Sequence, residues 1–196
     1  MARRSLGKEI EDVRSRLGNH PIVLVGLMGA GKTTVGRRLA EKLGIPFVDA
    51  DHEIELAAGK RIPEIFADHG EAYFREGERK VIARLIDSGA QVMATGGGAF
   101  MNEGTRRRIR ESGISVWLRA DLPLLMKRVS RRSDRPLLNN DDPAAVMARL
   151  IEQRYPTYAT ADITVDSRDI PHTSIVKDVI RALADWTEWD RLNDRT

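Results

Sequence analysis

One short segment constrains this chain of 196 residues more than any other. Residues 26–33 read Gly-Leu-Met-Gly-Ala-Gly-Lys-Thr and fit the pattern G-x-x-x-x-G-K-[S/T] in full. The apolar run Ile22–Val25 before them predicts a buried strand, and Lys32–Leu43 predicts an amphipathic helix that ends at Gly44. Glycines allow successive backbone N–H groups to turn toward phosphate oxygens, and the start of a helix attracts negative charge. Residues 26–33, called the phosphate loop below, therefore predict a site for a nucleoside triphosphate.

The composition is that of an ordinary folded domain, with 41% hydrophobic and 31% charged residues. The chain has no cysteine, which excludes disulfides and thiolate chemistry. A net charge of +3 is too small to argue for nucleic-acid binding. No apolar run reaches the length of a membrane span or of a signal core, so we expect a soluble, cytoplasmic protein without nucleic-acid or membrane partners.

Strand and helix patterns alternate along the rest of the chain. Further strands are predicted at 46–48, 91–95, 114–118 and 163–165, and further helices at 71–88, 106–112, 122–129, 144–155 and 173–188. This alternation predicts an α/β fold with three layers, in which helices cover both faces of a five-stranded parallel sheet. Ligands of such sheets bind beyond the carboxyl ends of the strands.

The predicted domain covers residues 20–185. A polar extension precedes it at 1–19, either as a short helix or as a mobile segment, and a tail follows at 186–196. The basic stretch 130–142 contains Pro136 and is predicted to be a loop that closes as a lid. Nothing in the sequence suggests an obligate interface, so a monomer is expected.

The phosphate loop predicts contacts with ATP but does not define the reaction. Lys32 is expected to reach the β- and γ-phosphates, and Thr33 to offer its hydroxyl to Mg²⁺. The ATP contacts are predicted at Gly29, Ala30, Gly31, Lys32, Thr33 and Thr34. The chain lacks the N-K-x-D sequence by which regulatory GTPases read guanine, and a small chain with a basic loop favours a phosphotransferase.

Several further motifs follow in the order found in shikimate kinases, and the chain resembles that family from about residue 21 to about residue 171. The motifs are Gly26 to Thr34, Asp49-Ala50-Asp51, Phe74-Arg75-Glu76-Gly77-Glu78, Gly96-Gly97-Gly98, Asp134-Arg135-Pro136-Leu137-Leu138, and Arg154 with Tyr158. The resemblance implies a P-loop NTPase fold like that of nucleoside monophosphate kinases. It also implies ATP and shikimate as substrates, Mg²⁺ as cofactor, and shikimate 3-phosphate and ADP as products, in aromatic amino acid biosynthesis.

Two aspartates flank one residue at the predicted end of the second strand. Asp49 and Asp51 point to the same side if the strand continues through them. Asp49 suits a magnesium role through water, and Asp51 suits a hydrogen bond to the acceptor hydroxyl, which it either orients or deprotonates. Asp51 could also be the N-cap of a helix, and the two roles are compatible.

The acceptor's carboxylate has two candidate partners. The fork of the Arg75 guanidinium matches a carboxylate, and Glu78, three residues on, could hold it in place. The resemblance implies that Arg154 is the second carboxylate ligand and that Gly96, Gly97 and Gly98 contact the acceptor. The alternatives are a surface ion pair for Arg75, a solvated helix end for Arg154 and a flexible turn for the glycines. Phe66 and Phe74 could form a wall under the ring or belong to the core.

Arginines crowd the sequence around the predicted lid. Arg135 is expected to stabilise the charge on the transferring phosphoryl group. The resemblance implies that Arg128 stacks on adenine and that Arg168 lines the other side of the purine. Arg131 and Arg132 are interpreted as solvated.

Two other functions remain open. A related kinase for another acceptor, such as gluconate, would keep the phosphate loop but lack the joint set of acceptor residues. A nucleotide-gated nucleic-acid protein would use the arginine clusters and show salt-sensitive binding.

Overall fold

A computed structural model describes residues 4–131 and 142–193, and its centre is a five-stranded sheet. The strands are β1 (Ile22–Val25), β2 (Phe47–Asp49), β3 (Val92–Ala94), β4 (Ile114–Arg119) and β5 (Ile163–Asp166). They lie in the order β2-β3-β1-β4-β5, and every pair is parallel. Helices cover both sides, so the predicted three-layer α/β/α fold is confirmed.

The helices alternate with the strands, as the sequence pattern predicts. They are α1 (Leu6–Leu17), α2 (Lys32–Leu43), α3 (Ala50–Ala58), α4 (Ile62–Ile86), α5 (Glu103–Ser112), α6 (Leu122–Val129), α7 (Pro143–Tyr158), α8 (His172–Asp185) and α9 (Asp190–Asn193). A short 3-10 turn covers Ala99–Met101. Helix α8 packs against both α1 and α2, whereas α4 packs against α3 and α5.

Strand β1 is the middle strand of the sheet, with two strands on each side. Ile22 pairs with Val92 of β3 and with Ile114 of β4, and all four side chains of β1 are fully buried. Burial on both faces explains why β1 is a continuous apolar run rather than an alternating one. The phosphate loop therefore begins on the most constrained strand of the sheet.

Several predicted boundaries were wrong. Helix α3 was predicted only as an alternative, with Asp51 as its N-cap, and α4 begins at Ile62 rather than at 71, with a kink at Gly70, whose φ is 78°. Helix α8 ends at Asp185, because Trp186 has an extended backbone with ψ 135°. Trp189 is therefore not on α8, although it packs edge to face on Trp186 at 5.2 Å, as expected of a packing pair.

Both terminal segments contribute side chains to the core. The N-terminal segment forms α1, the helical one of its two predicted states, and buries Val13 and Leu17. At the other end Trp186, Trp189 and Leu192 are buried. The division of the chain into a domain with extensions stays a prediction. Among the helices of the described residues, none has both the length and the apolar character needed to cross a bilayer.

Candidate active site

The phosphate loop joins β1 to α2 and depends on glycine at three positions. Gly26, Gly29 and Gly31 have φ angles of 139°, 82° and 98°, which other residues rarely adopt. At Gly26 a Cβ atom would also lie 2.8 Å from the carbonyl oxygen of Leu118, which is too close. Gly31 is the N-cap of α2, and no side chain of the described residues caps that helix end. The first N–H groups of α2 are therefore available to an anion.

This loop borders a cleft of about 390 Å³ at the carboxyl ends of the strands. That is the edge of a parallel sheet where ligands bind. Its walls include Gly29, Gly31, Lys32, Thr33, Thr34, Asp49, Asp51, Thr95, Gly96, Gly97, Arg128, Asp169, Ile170 and His172. The cleft brings together residues that the sequence places in five separate segments.

Lys32 lies across the phosphate loop. Its ammonium donates hydrogen bonds to the carbonyl oxygens of Gly26 at 2.7 Å and Leu27 at 2.9 Å. These contacts hold a positive charge over the loop, on the wall of the cleft. This is the position from which a lysine contacts phosphate oxygens.

Thr33 and Asp49 meet in the cleft. The Thr33 hydroxyl donates to Oδ2 of Asp49 at 2.9 Å. A hydroxyl and a carboxylate are hard oxygen ligands, and Mg²⁺ in phosphate sites is held by few protein groups, with phosphates and water completing its shell. In the described residues no cluster of three or more His, Cys, Asp or Glu side chains could hold a metal alone. The pair therefore fits a magnesium ion that arrives with a nucleotide.

The structure corrects two expectations about Asp51. Strand β2 ends at Asp49, so the two aspartates do not continue one strand. Asp49 is the N-cap of α3, and its Oδ1 accepts a hydrogen bond from the backbone N–H of Asp51 at 3.2 Å. Asp51 is thus in the first turn of α3, not its cap. Both carboxylates still line the cleft.

Three consecutive glycines lie between this cleft and a second cleft, which is described below. A Cβ on Gly96 would lie 2.7 Å from Oδ1 of Asp51, and one on Gly98 would lie 2.4 Å from Nη1 of Arg75. The guanidinium of Arg154 lies beside Gly97 and donates to its carbonyl oxygen at 3.0 Å. Gly96 and Gly98 therefore permit close approach by the protein's own charged side chains, whereas a Cβ on Gly97 would make only ordinary contacts. Gly96, Gly97 and Gly98 are called the glycine triplet below.

Arg75 forms the predicted pair with Glu78. Its Nη1 donates to Oε2 of Glu78 at 2.8 Å, and its Nη2 contacts Glu71 at 3.2 Å. Glu78 is buried, and its Oε1 has no hydrogen-bond partner among the described residues. Burial raises the pKa of Glu78, with Arg75 opposing the shift and Asp51 adding to it. Burial alone would lower the pKa of Arg75, but its pairs with Glu78 and Glu71 outweigh burial and raise it.

Arg75 and Arg154 line a second cleft of about 300 Å³, together with Glu78 and Gly98. Tyr158 supports this region from α7, since its hydroxyl donates to the carbonyl oxygen of Gly97. Burial raises the pKa of Tyr158 to about 12, so it stays a neutral donor. The two predicted arginines are thus brought to one cleft by α4 and α7. The rings of Phe66 and Phe74 contact each other at a tilt of 34°, with centroids 4.6 Å apart, and of the two only Phe74 is buried.

Arg128 borders the opposite side of the cleft. Its Nη1 donates to the carbonyl oxygens of Gly29 at 3.2 Å and Ala30 at 3.3 Å, which fixes α6 to the phosphate loop. Burial lowers the pKa of Arg128. The side chain of Arg168 instead pairs with Asp178 of α8, so its predicted position beside a purine stays a prediction.

Two residues in or behind this wall were not singled out in the sequence. Ser167 is buried directly after β5, and His172 begins α8 and lines the cleft beside Gly31. Burial, with the charges of Arg128 and Arg38, lowers the pKa of His172. The rule that functional residues follow strands would have selected the turn after β5.

Arg135 and most of the predicted lid, 130–142, lie outside the described residues. The predicted roles of Arg132 and Arg135 therefore stay predictions. Arg131, the last described residue before that gap, is exposed and borders the cleft.

Comparison with known proteins agrees with this geometry. The family model for shikimate kinase matches residues 28–184. A shikimate kinase of Rhodopseudomonas palustris is 59% identical over 175 residues, which are 89% of this chain and 86% of the relative. Among solved structures, a shikimate kinase from Acinetobacter baumannii in complex with shikimate has a TM-score of 0.81 and 38% identity, covering 86% of this chain and 95% of that one.

A gluconokinase from Sinorhizobium meliloti also matches, with a TM-score of 0.59 over 92% of this chain and 99% of that one. At 19% identity this match shows a shared fold alone. The match to the shikimate kinase model covers the phosphate loop from Met28, both aspartates, the glycine triplet and the two arginines. With that coverage and the identity of the relatives, the chain belongs to the shikimate kinase family.

Proposed function

We propose that this protein transfers the γ-phosphoryl group of ATP to the 3-hydroxyl of shikimate, giving shikimate 3-phosphate and ADP. The observation that carries the proposal is the order of charges along the glycine triplet. Asp51 lies at Gly96, on the cleft of the phosphate loop, whereas the guanidiniums of Arg154 and Arg75 lie at Gly97 and Gly98. A ring with a carboxylate at one end and hydroxyls at the other fits this polarity. The relative solved with shikimate supports that acceptor.

Arg75 and Arg154 bind the acceptor carboxylate. A hydrogen bond to Glu78 holds the guanidinium of Arg75 in place, and a hydrogen bond to the carbonyl oxygen of Gly97 holds that of Arg154. Two guanidiniums prepared in this way lose little side-chain freedom when the carboxylate binds, because they are already held. This end of the site therefore selects an acid and orients its ring.

Asp51 and Lys32 act at the reacting end. The acceptor oxygen attacks the γ-phosphorus, an O–P bond forms, and the bond between the γ-phosphorus and the β,γ-bridging oxygen breaks, so that ADP leaves. Asp51 accepts a hydrogen bond from the hydroxyl and takes its proton as the bond forms. Lys32 and the first N–H groups of α2 stabilise the phosphate charge, and most of the rate enhancement comes from positioning and charge stabilisation.

Thr33, by its hydroxyl, and Asp49, through water, would hold Mg²⁺. When bound, the ion neutralises charge on the β- and γ-phosphates. The carboxylate of Asp49 also caps α3, so the same side chain orients Asp51. Arg135 supplies a further positive charge to the transferring group from the segment 130–142; the sequence motif supports this role.

Release of ADP with Mg·ATP and a panel of acceptors tests the proposal. The panel contains shikimate, gluconate, AMP and buffer alone. We expect rapid release with shikimate only, and none from Lys32→Ala purified in the same way, which controls for contaminating kinases. Release of ADP with gluconate and not with shikimate would mean that gluconate is the acceptor. Release that persists in Lys32→Ala would contradict the assignment of the phosphate loop.

A further inference from the structure

A buried serine, Ser167, connects the phosphate loop to Arg128, which borders the opposite side of the cleft. Ser167 is the first residue after β5 and is 5% exposed. Its hydroxyl donates to the carbonyl oxygen of Ala30 in the phosphate loop at 3.0 Å and accepts from Nη1 of Arg128 at 2.8 Å. Its backbone N–H separately donates to Arg119, so the side chain is free for these two bonds. One hydroxyl therefore joins β5, α6 and the phosphate loop.

The guanidinium of Arg128 is held only by neutral oxygen atoms among the described residues. Besides Ser167 these are the carbonyl oxygens of Gly29, Ala30 and Arg168, the last at 2.9 Å from Nη2. Ser167 is the shortest of the four contacts. Asp169 acts on Arg128 through its charge but is itself hydrogen-bonded to Lys127. No hydrogen bond in this set goes to a carboxylate, so these bonds orient the positive charge of Arg128 without pairing it. Such a charge acts on an anionic ligand in the cleft.

We propose that Ser167 is a positioning residue for nucleotide binding. It fixes Arg128 against the phosphate loop, so that the side chain and the loop keep the same relative position before the nucleotide binds. The inference rests on the proposed function in one respect only, namely that the cleft binds ATP. Ser167 lies behind Arg128 and the phosphate loop, away from the second cleft of Arg75 and Arg154, so it acts on the nucleotide and not on the acceptor.

The substitution Ser167→Ala removes both hydrogen bonds, while Ser167→Thr keeps a hydroxyl. A hydrogen bond contributes about 0.5–1.5 kcal/mol when neutral and about 1.5–3 kcal/mol when one group is charged, as for Arg128. Neither bond of Ser167 touches the nucleotide, so only part of this loss reaches it, and we expect Ser167→Ala to weaken Mg·ADP binding by roughly 5- to 10-fold. The KM for ATP should rise by the same factor, with little change in kcat. Ser167→Thr should restore binding to within about twofold. Shikimate binding to the nucleotide-free protein should not change in either variant.

Ser115→Ala is the matched control. Ser115 is also a buried serine, on the neighbouring strand β4, but its hydroxyl bonds Asp162 near the start of β4 rather than the cleft. It should lower the midpoint of thermal unfolding without changing Mg·ADP binding. If Ser115→Ala weakens Mg·ADP binding as much as Ser167→Ala, a general loss of stability explains both, and the inference is wrong. Wild-type affinity in Ser167→Ala also overturns it.

Calorimetric titration with Mg·ADP alone separates this inference from the proposed function. It reports the nucleotide site even if shikimate is not the acceptor, whereas the acceptor panel reports the function even if Ser167 has no role. In an Arg128→Ala background, Ser167→Ala should cause a clearly smaller loss than in the wild type, because only the bond from Ser167 to Ala30 is then left to lose. A full additional loss would contradict that route. If Ser167→Ala does not fold, Ser167→Cys, whose thiol is only a weak donor, takes its place.

Discussion

Removing the Arg75 guanidinium should weaken shikimate binding far more than ATP binding. Arg75→Ala takes away a planar donor fork from the second cleft and leaves two cations in its lining, Arg154 and Arg79, of which Arg79 is already paired with Glu76. A hydrogen bond to a charged group contributes about 1.5–3 kcal/mol. Loss of one such bond therefore predicts a rise in the KM for shikimate of roughly 10- to 150-fold, since about 1.4 kcal/mol corresponds to a factor of ten.

The same substitution should also affect folding, because Arg75 is the 2.8 Å partner of a buried carboxylate. Without it, Glu78 remains buried with a pKa that burial already raises. An unpaired buried group costs about 1–3 kcal/mol, so the free energy of unfolding should fall by that order. Arg75→Ala combined with Glu78→Gln should recover part of this stability but none of the shikimate affinity. The double variant thereby separates the folding effect from the binding effect.

Steady-state kinetics at saturating ATP, and then at saturating shikimate, measure the two KM values. Arg108→Ala is the control, since Arg108 pairs with exposed Asp87 and does not line either cleft. It should leave both KM values unchanged. A rise of less than about threefold in the KM for shikimate, or an equal rise for ATP, would refute a carboxylate role for Arg75.

Three other predictions address separate parts of the site. Arg135→Ala should lower kcat with a modest change in shikimate KM in steady-state assays, and an unchanged kcat would remove Arg135 from the chemistry. The pKa of His172 is lowered from 6.5 by burial, Arg128 and Arg38, so NMR titration should find it below 6.5 and raised when Mg·ADP binds; an unchanged pKa on binding would contradict its place beside the nucleotide. Because folding raises the pKa of Tyr158 from 10 to about 12, the free energy of unfolding should fall as pH rises between these values, by up to about 2 kcal/mol. Urea unfolding at several pH values should show that the Tyr158→Phe variant lacks this part of the fall in the free energy of unfolding. The same pH dependence in the wild type and the variant would contradict the raised pKa of Tyr158.

The parts of the molecule that the sequence predicted well depend on short-range patterns. The apolar run of β1 and the phosphate loop define the centre of the sheet and one edge of the cleft without any tertiary information. The pair of Arg75 and Glu78 was also predictable, because residues three apart on a helix are neighbours. Each of these features spans a few residues, so local geometry determines it.

The parts that were missed depend on where elements end and which segments meet. Asp49 caps α3 only because β2 stops there, and a continuing strand fits the same three residues equally well. Ser167 and Ala30 are 137 positions apart, so their hydrogen bond has no local pattern. The close contact of Gly98 with Arg75 likewise required the packing of α4 against the turn after β3.

The position of the phosphate on the product tests the central claim most directly. The protein would be incubated with Mg·ATP and shikimate, and the product examined by ³¹P and ¹H NMR. The account predicts one phosphate ester, on the 3-hydroxyl, formed in equal amount with ADP. Phosphate on another hydroxyl, or free inorganic phosphate with unchanged shikimate, would contradict the proposed alignment of the ring between Asp51 and the two arginines.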